Sequence, residues 1–195
     1  EKGIEIDYVN ISDKGCFDIN SLKTLLENSN KKTLVSLMHA NNELGTVCDM
    51  NIISELCKSH NALYHSDTVQ TIGQISIDVQ TTKIDFLSGA AHKFYGPKGV
   101  GFIYINGDNT IKPFIDGGAQ ERNMRGGTEN VYGILGMAKA LELSWDNMEA
   151  NQNYLREIRN YFIQELQDNF EGIEFNGDYK GNYLPKVLSV SFPPS

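Results

Sequence analysis

Three short polar clusters hold the side chains with chemical reach: His39-Ala40-Asn41-Asn42-Glu43, His65-Ser66-Asp67-Thr68-Val69-Gln70 and Ser88-Gly89-Ala90-Ala91-His92-Lys93. Each follows a short run of strand type, and in open α/β sheets ligands sit beyond the carboxyl ends of the strands. A lone lysine in such a place is a solvated loop charge, and a lone aspartate is a helix cap. A lysine, a carboxylate, an amide and a histidine on successive strand ends point instead to a shared ligand. Lys93 suits a Schiff base with an aldehyde, and Asp67 suits keeping a heterocyclic nitrogen protonated. Pyridoxal phosphate makes both demands. Its ring also needs a stacking face and a donor at the phenolic oxygen, roles open to Asn42, Gln70 and His92. Its phosphate needs backbone or hydroxyl donors, for which the glycine-rich loops, Ser88 and Thr128 are candidates.

Four blocks then carry a family likeness: Met38-His39-Ala40-Asn41-Asn42-Glu43-Leu44-Gly45, the His65–Gln70 cluster, Ala91-His92-Lys93-Phe94-Tyr95-Gly96-Pro97-Lys98-Gly99, and Glu121-Arg122-Asn123-Met124-Arg125-Gly126-Gly127-Thr128-Glu129-Asn130. In this order they resemble the cysteine desulfurases of the class V aminotransferase group, and the resemblance runs across essentially the whole chain. It implies Lys93 as the lysine joined to the cofactor, Asp67 on the pyridine nitrogen and Gln70 on the phenolic oxygen. It further implies Asn42 near that oxygen and the substrate, His92 beside the phosphate, and Thr128 reaching across a homodimer interface to the other subunit's phosphate. On residue chemistry alone Thr128 reads equally as the cap of a helix beginning near Glu129. One position departs from the family: Ala90 stands where a phosphate-donating Ser is common, a loss of about 1.5–3 kcal/mol unless Ser88 or a backbone group takes over.

The activity implied by the resemblance is removal of sulfur from L-cysteine as a persulfide, with release of L-alanine and delivery to a sulfur-acceptor protein, as in iron-sulfur cluster assembly. The family's phosphate-gripping N-terminal loop, its ring-stacking His and its persulfide-carrying Cys loop are expected outside these residues, so the chain alone is expected to be inactive. A selenocysteine lyase or an aminotransferase shares the same core. A non-catalytic scaffold is the reading from another class, but it has no need of a lysine, a carboxylate and an amide at adjoining strand ends. Nucleotide binding fails on spacing: Gly96–Gly101 lacks GxxxxGK[ST] order, and Gly99–Tyr104 misses the last Gly of GxGxxG.

Bulk composition agrees with a small-molecule enzyme. Against 17 Lys and Arg stand 25 Asp and Glu, a formal charge of −8, which disfavours nucleic acid and anionic membrane as partners. Hydrophobic residues at 40% and charged residues at 22% describe a globular chain. No apolar run approaches the roughly 20 residues that span a bilayer, and Glu1–Glu5 has no apolar leader, so the expected compartment is the cytoplasm. Cys16, Cys48 and Cys57 show neither CxxC nor Cys/His ligand spacing and read as reduced thiols, with no metal site.

The elements that must position these groups follow a βαβ rhythm. Ile4–Val9 alternates as a strand, Ile19–Glu27 has helical spacing and Leu34–Met38 is a short apolar run. A helix over Asn51–His60, strands over Ala62–Asp67 and Phe86–Ser88, and a strand Gly101–Ile105 continue it. The expected fold is α/β, a mostly parallel sheet flanked by helices, as in the large domain of fold-type I pyridoxal phosphate enzymes. Tyr132–Asn169 reads as two helices or one bent one. Ile173–Phe175 and Val187–Phe192 read as strands of a smaller α+β domain. The expected division is 1–145 for the central part of the cofactor-binding domain and 146–195 for a connecting helix and the start of the small domain. His39 and His65 are expected to brace strand ends, and His60 to end a helix.

Overall fold

The computed structural model describes residues 3–194. Helix α1 (Ile19–Asn28) starts at Asp18, whose carboxylate accepts from the Asn20 and Ser21 amides; α2 (Met50–Ser59) starts at Asp49, which accepts from Asn51 and Ile52. These caps satisfy N–H groups that a helix start leaves unpaired. His60 closes α2, as the sequence suggested.

Between and after the helices run β1 (Leu34–Met38), β2 (Leu63–Asp67), β3 (Phe86–Ala90) and β4 (Gly101–Ile105). They form one sheet in the order β1-β2-β3-β4, parallel from β1 to β3, with β4 antiparallel to β3. The mostly parallel α/β expectation is met. Val35, Tyr64 and Leu87 project from the sheet into a core shared with Leu22 and Leu26 of α1 and Ile53 and Cys57 of α2. The opposite face is more open: Ser36 is exposed, and His65 and Phe86 are half-buried.

Strand alternation misleads at the start of the chain. The segment 4–9 forms no strand, and Ile4, Ile6 and Tyr8, one face of the expected strand, are 66%, 71% and 85% exposed. Alternation sets which side chains share a face but supplies no ladder partner, and none of the described strands pairs here.

After β4 come a one-turn helix α3 (Gln120–Asn123), then α4 (Val131–Asp146) and α5 (Met148–Asn169), broken at Asn147. The two-helix reading of Tyr132–Asn169 therefore holds. A two-stranded antiparallel sheet, β5 (Glu174–Asn176) with β6 (Ser189–Ser191), follows. The helix start expected near Glu129 lies at Val131. Its cap is Asn130, whose Oδ1 accepts from the Gly133 amide at 3.1 Å, and not Thr128. Thr128 stands two residues too early to reach the free amides of the first turn.

Candidate active site

Parallel pairing aligns the ends of β1 and β2, Met38 opposite Asp67, and sets Asp67 opposite Ser88, two residues before β3 ends at Ala90. The polar clusters after these strands therefore emerge side by side. The His39 amide donates to the Asp67 carbonyl at 2.9 Å, and the Thr68 amide and hydroxyl both donate to the Ser88 carbonyl, at 3.0 and 2.8 Å. Backbone groups that leave the ladder are thus paired again one residue later, which fixes the three exits relative to one another.

His39, 7% exposed, braces this edge. Its Nδ1 lies 2.9 Å from the Thr71 hydroxyl, which is itself 3.1 Å from the Thr68 carbonyl. The hydroxyl has one proton, and the carbonyl can only accept, so the consistent assignment has Nδ1–H donating to Thr71 and Thr71 donating to Thr68. Burial pushes the His39 pKa down to about 4, against a smaller opposing pull from Asp49. At neutral pH it is a neutral structural imidazole. His65 bonds Ser36 Oγ through Nδ1 at 2.8 Å; its pKa is lowered by burial, with Asp67 opposing. Both histidines brace strands as the sequence suggested.

Asp67 is half-buried, and one carboxylate oxygen accepts the Val69 amide at 2.9 Å, a short Asx turn that orients the group and leaves the second oxygen for a ligand. Gln70, 8% exposed, follows on the same turn. Lys93 lies in the 3₁₀ turn Ala91–Phe94 directly after β3, half-buried, with His92 exposed beside it. Tight packing sets that turn. Gly73 has φ +73°, and a Cβ there would lie 2.8 Å from Phe94 Cβ and 3.1 Å from Ser144 Cβ, so only glycine lets the loop after β2, the Lys93 turn and α4 approach this closely. Ser144 Oγ completes the contact by donating to the Phe94 carbonyl at 3.2 Å.

The structure thus places Asp67, Gln70 and Lys93 on segments that leave neighbouring strands. The other expected members are placed less tightly. Asn42 is exposed, and its amide donates to Glu43 Oε1 at 2.6 Å. Thr128 is exposed on the loop before α4. Sequence reading missed Thr71 and Gly73, which hold the edge, and Lys186, whose Nζ donates to the Gln70 carbonyl at 3.1 Å. Nothing local to residue 186 signals this contact, since the partners are 116 positions apart. A groove of about 500 Å³ lined by Phe94, Tyr95, Leu143 and Asn147 lies behind the Lys93 turn, not at the strand ends.

The donor set fits the ring end of pyridoxal phosphate: a carboxylate with a free oxygen, a nearly buried amide and a lysine at adjacent strand ends. At the phosphate end the fit is thinner, with Ala90 offering no hydroxyl. Among the described residues no group of three or more His, Cys, Asp and Glu could hold a metal ion.

The aminotransferase class-V family model matches residues 1–194. The chain belongs to this family. Class V relatives include the cysteine desulfurase IscS of Dictyoglomus turgidum, 43% identical over 190 residues, covering 97% of this chain and 48% of that protein. A putative cysteine desulfurase IscS 1 of Bacillus subtilis is 39% identical over 191 residues, covering 98% of this chain and 50% of its own length. The chain therefore spans about half the length of the curated relatives it matches. Among solved structures, a NifS-like protein from Rickettsia africae superposes with TM-score 0.92 at 31% identity, over 96% of this chain and 52% of that one. A second NifS-like protein gives 0.91 at 37% identity, over 98% and 52%. Class V enzymes and the desulfurases among them use pyridoxal phosphate.

Proposed function

We propose that this chain is the cofactor-binding core of a pyridoxal phosphate-dependent cysteine desulfurase that takes sulfur from L-cysteine as a persulfide and releases L-alanine. The observation that carries the reading is the convergence of Asp67, Gln70 and Lys93 on the ends of neighbouring strands. The names of its class V relatives supply the reaction class. When bound, pyridoxal phosphate supplies an electron sink for charge developing at the substrate's α-carbon.

The chain's own residues bind, orient and move protons. Asp67 presents its free oxygen to the pyridine N–H, and its Asx turn prevents rotation away. The Gln70 amide donates to the phenolic oxygen. Lys93 provides the amine that holds the aldehyde and afterwards takes and returns a proton at Nζ. His92 and Thr128 serve the phosphate, Thr128 from the partner subunit of a homodimer, and Asn42 turns from Glu43 toward the substrate.

The nucleophilic thiol comes from outside these residues. Burial pushes the Cys57 thiol up to about 12, and it raises Cys48 as well, so neither supplies a ready thiolate. Cys16 is half-buried in the turn before α1, upstream of every cofactor residue. By this reading residues 1–145 are the central part of the large domain, and 146–195 are the connecting helix and first strands of the small one. The sulfur goes to an acceptor protein of iron-sulfur cluster assembly in the cytoplasm. No helix among the described residues is long and apolar enough to cross a membrane.

Borohydride reduction of the cofactor-loaded protein followed by peptide mass mapping tests the assignment. The label belongs on Lys93, and a label on Lys98 overturns it. Incubating the 195-residue chain with pyridoxal phosphate, L-cysteine and a reductant should give no catalytic sulfide or alanine. Multiple turnovers lost on Cys16→Ala, Cys48→Ala or Cys57→Ala would place the thiol inside the chain.

A further inference from the structure

The turn that carries Asn42 is closed on itself. Asn41 Oδ1 accepts from the Glu43 and Leu44 amides, both at 2.8 Å, the Asn41 amide donates to the Thr46 carbonyl at 2.9 Å, and the Gly45 amide donates back to the Asn41 carbonyl at 3.0 Å. The return half of this turn is paired with a segment far along the chain, Asn182–Val187. The Val47 amide donates to the Asn182 carbonyl at 2.9 Å, the Leu184 amide donates to the Gly45 carbonyl at 2.8 Å, and Thr46 bridges Tyr183 in antiparallel fashion. Leu184 is fully buried against Ala40 and Val47.

The same segment reaches the turn after β2. Half-buried Lys186 donates from Nζ to the Gln70 carbonyl at 3.1 Å, and among the described residues no backbone amide donates to that carbonyl. On the other side of the same peptide unit the Thr71 amide donates to the Thr68 carbonyl at 2.9 Å, so the peptide after Gln70 is held at both ends. Lys186 itself has little freedom. Pro185 before it is buried and has its φ fixed by the ring. The Val187 carbonyl after it accepts from Arg159 of α5, a guanidinium 4% exposed that also donates to the Tyr179 carbonyl and lies 4.3 Å over the Tyr183 ring.

One segment therefore holds both Asn42 and Gln70, the two amides whose expected place is around a single atom, the cofactor's phenolic oxygen. We propose that Asn182–Val187 is the positioning element for these two amides and that Lys186 is the positioning residue for Gln70, an inference that rests on the pyridoxal phosphate reading above. An amide N–H bonds strongly only when it points at its acceptor, and misalignment weakens it steeply. Gln70 has a long, rotamer-rich side chain, and a loose peptide at its base would add to the directions its amide can take. The bond from Lys186 to the Gln70 carbonyl removes that looseness.

The test uses the full-length, cofactor-loaded protein and reads the pH midpoint of the visible absorbance change of the bound cofactor, which moves when the phenolic oxygen loses a donor. Gln70→Leu should move the midpoint by about one pH unit, the worth of one hydrogen bond to a charged group. Lys186→Met should move it in the same direction by about half a unit, and Lys186→Arg, which keeps a donor, should restore it to within about 0.2 unit. Adding Lys186→Met to Gln70→Leu should give no further shift, because the lysine acts through the amide already removed. A shift that persists in the double variant comes from the lysine's charge and overturns the inference. So does a Lys186→Met protein that loses thermal stability with its midpoint unmoved, which is the behaviour of a merely structural lysine. A midpoint unmoved by Gln70→Leu takes Gln70 away from the phenolic oxygen, and then the underlying reading fails and the inference with it.

Discussion

At the ends of β1, β2 and β3 each exit is tied to its neighbour: His39 to Asp67 and Thr71, Thr68 to Ser88, and the Lys93 turn to Ser144 through Phe94. Along Gly117–Asn130 the ties are sparse. The Gly126 amide bonds the Ile115 carbonyl at 2.8 Å, while Glu121, Arg122 and Asn123 take left-handed φ of 47°, 56° and 64° and Thr128 stays exposed. Three consecutive non-glycine residues in that region carry roughly 1 kcal/mol of strain each. The strand-end half of the site is positioned by the ladder itself. The Gly117–Asn130 loop has few such ties among the described residues.

The largest effect should come from the strand-end side. Asp67→Asn keeps shape and removes charge, and in the full-length protein it should cut cysteine turnover on the order of a hundredfold or more while cofactor absorbance persists. Wild-type turnover would break the contrast at its strongest point.

His39 gives a pH-dependent effect on the same side. Above pH 6.5 the imidazole is neutral folded and unfolded alike. As pH falls from 6.5 toward 4, the unfolded chain takes up a proton that the folded chain does not, so stability is lost across that window. The two values bound the loss at about 3 kcal/mol. Urea unfolding at a series of pH values should show this slope in the wild type, and a shallower one in His39→Gln.

Gly73→Ala should destabilise by about 1–3 kcal/mol, combining the strain of positive φ with a Cβ driven onto Phe94. Lower cofactor occupancy should accompany it, since the displaced turn carries Lys93. Thermal unfolding with and without pyridoxal phosphate separates the two.

The smallest effects lie on the loop. Asn130→Ala removes a helix cap and should cost about 1 kcal/mol, whereas Thr128→Ala should change unfolding free energy by less than about 0.5 kcal/mol. Equal losses in the two variants would mean that Thr128 is structural and the loop is better anchored than its contacts indicate.

The sheet and its first helices were legible because amphipathic period and burial agree there: Leu22 and Leu26 in α1, Ile53 and Cys57 in α2, Val35 in β1. The placing of Asp67, Gln70 and Lys93 just at or after strand ends was legible because each follows a short run of strand type. Ile4–Val9 carried the same alternation but met no partner strand, which a local pattern cannot report. Thr128 and Asn130 are both good caps, and only the Gly133 contact chooses between them. Lys186 and Arg159 lay beyond reach because their roles depend on a strand-like pairing between distant segments.

That pairing also has a kinetic side. The Asp178 amide bonds the Thr46 hydroxyl across 132 positions, and Leu184 covers Ala40 and Val47 from equally far along the chain. Contacts this distant close late, after the loop entropy between them has been lost. On the ribosome the sheet of β1 to β4 can form while the loop after β1 still shows its apolar side to water. Synthesis of residues 178–187 then delivers both the cover over that loop and the Lys186 contact to the Gln70 carbonyl, so assembly of the sheet and closure of its strand-end edge become separate events in time.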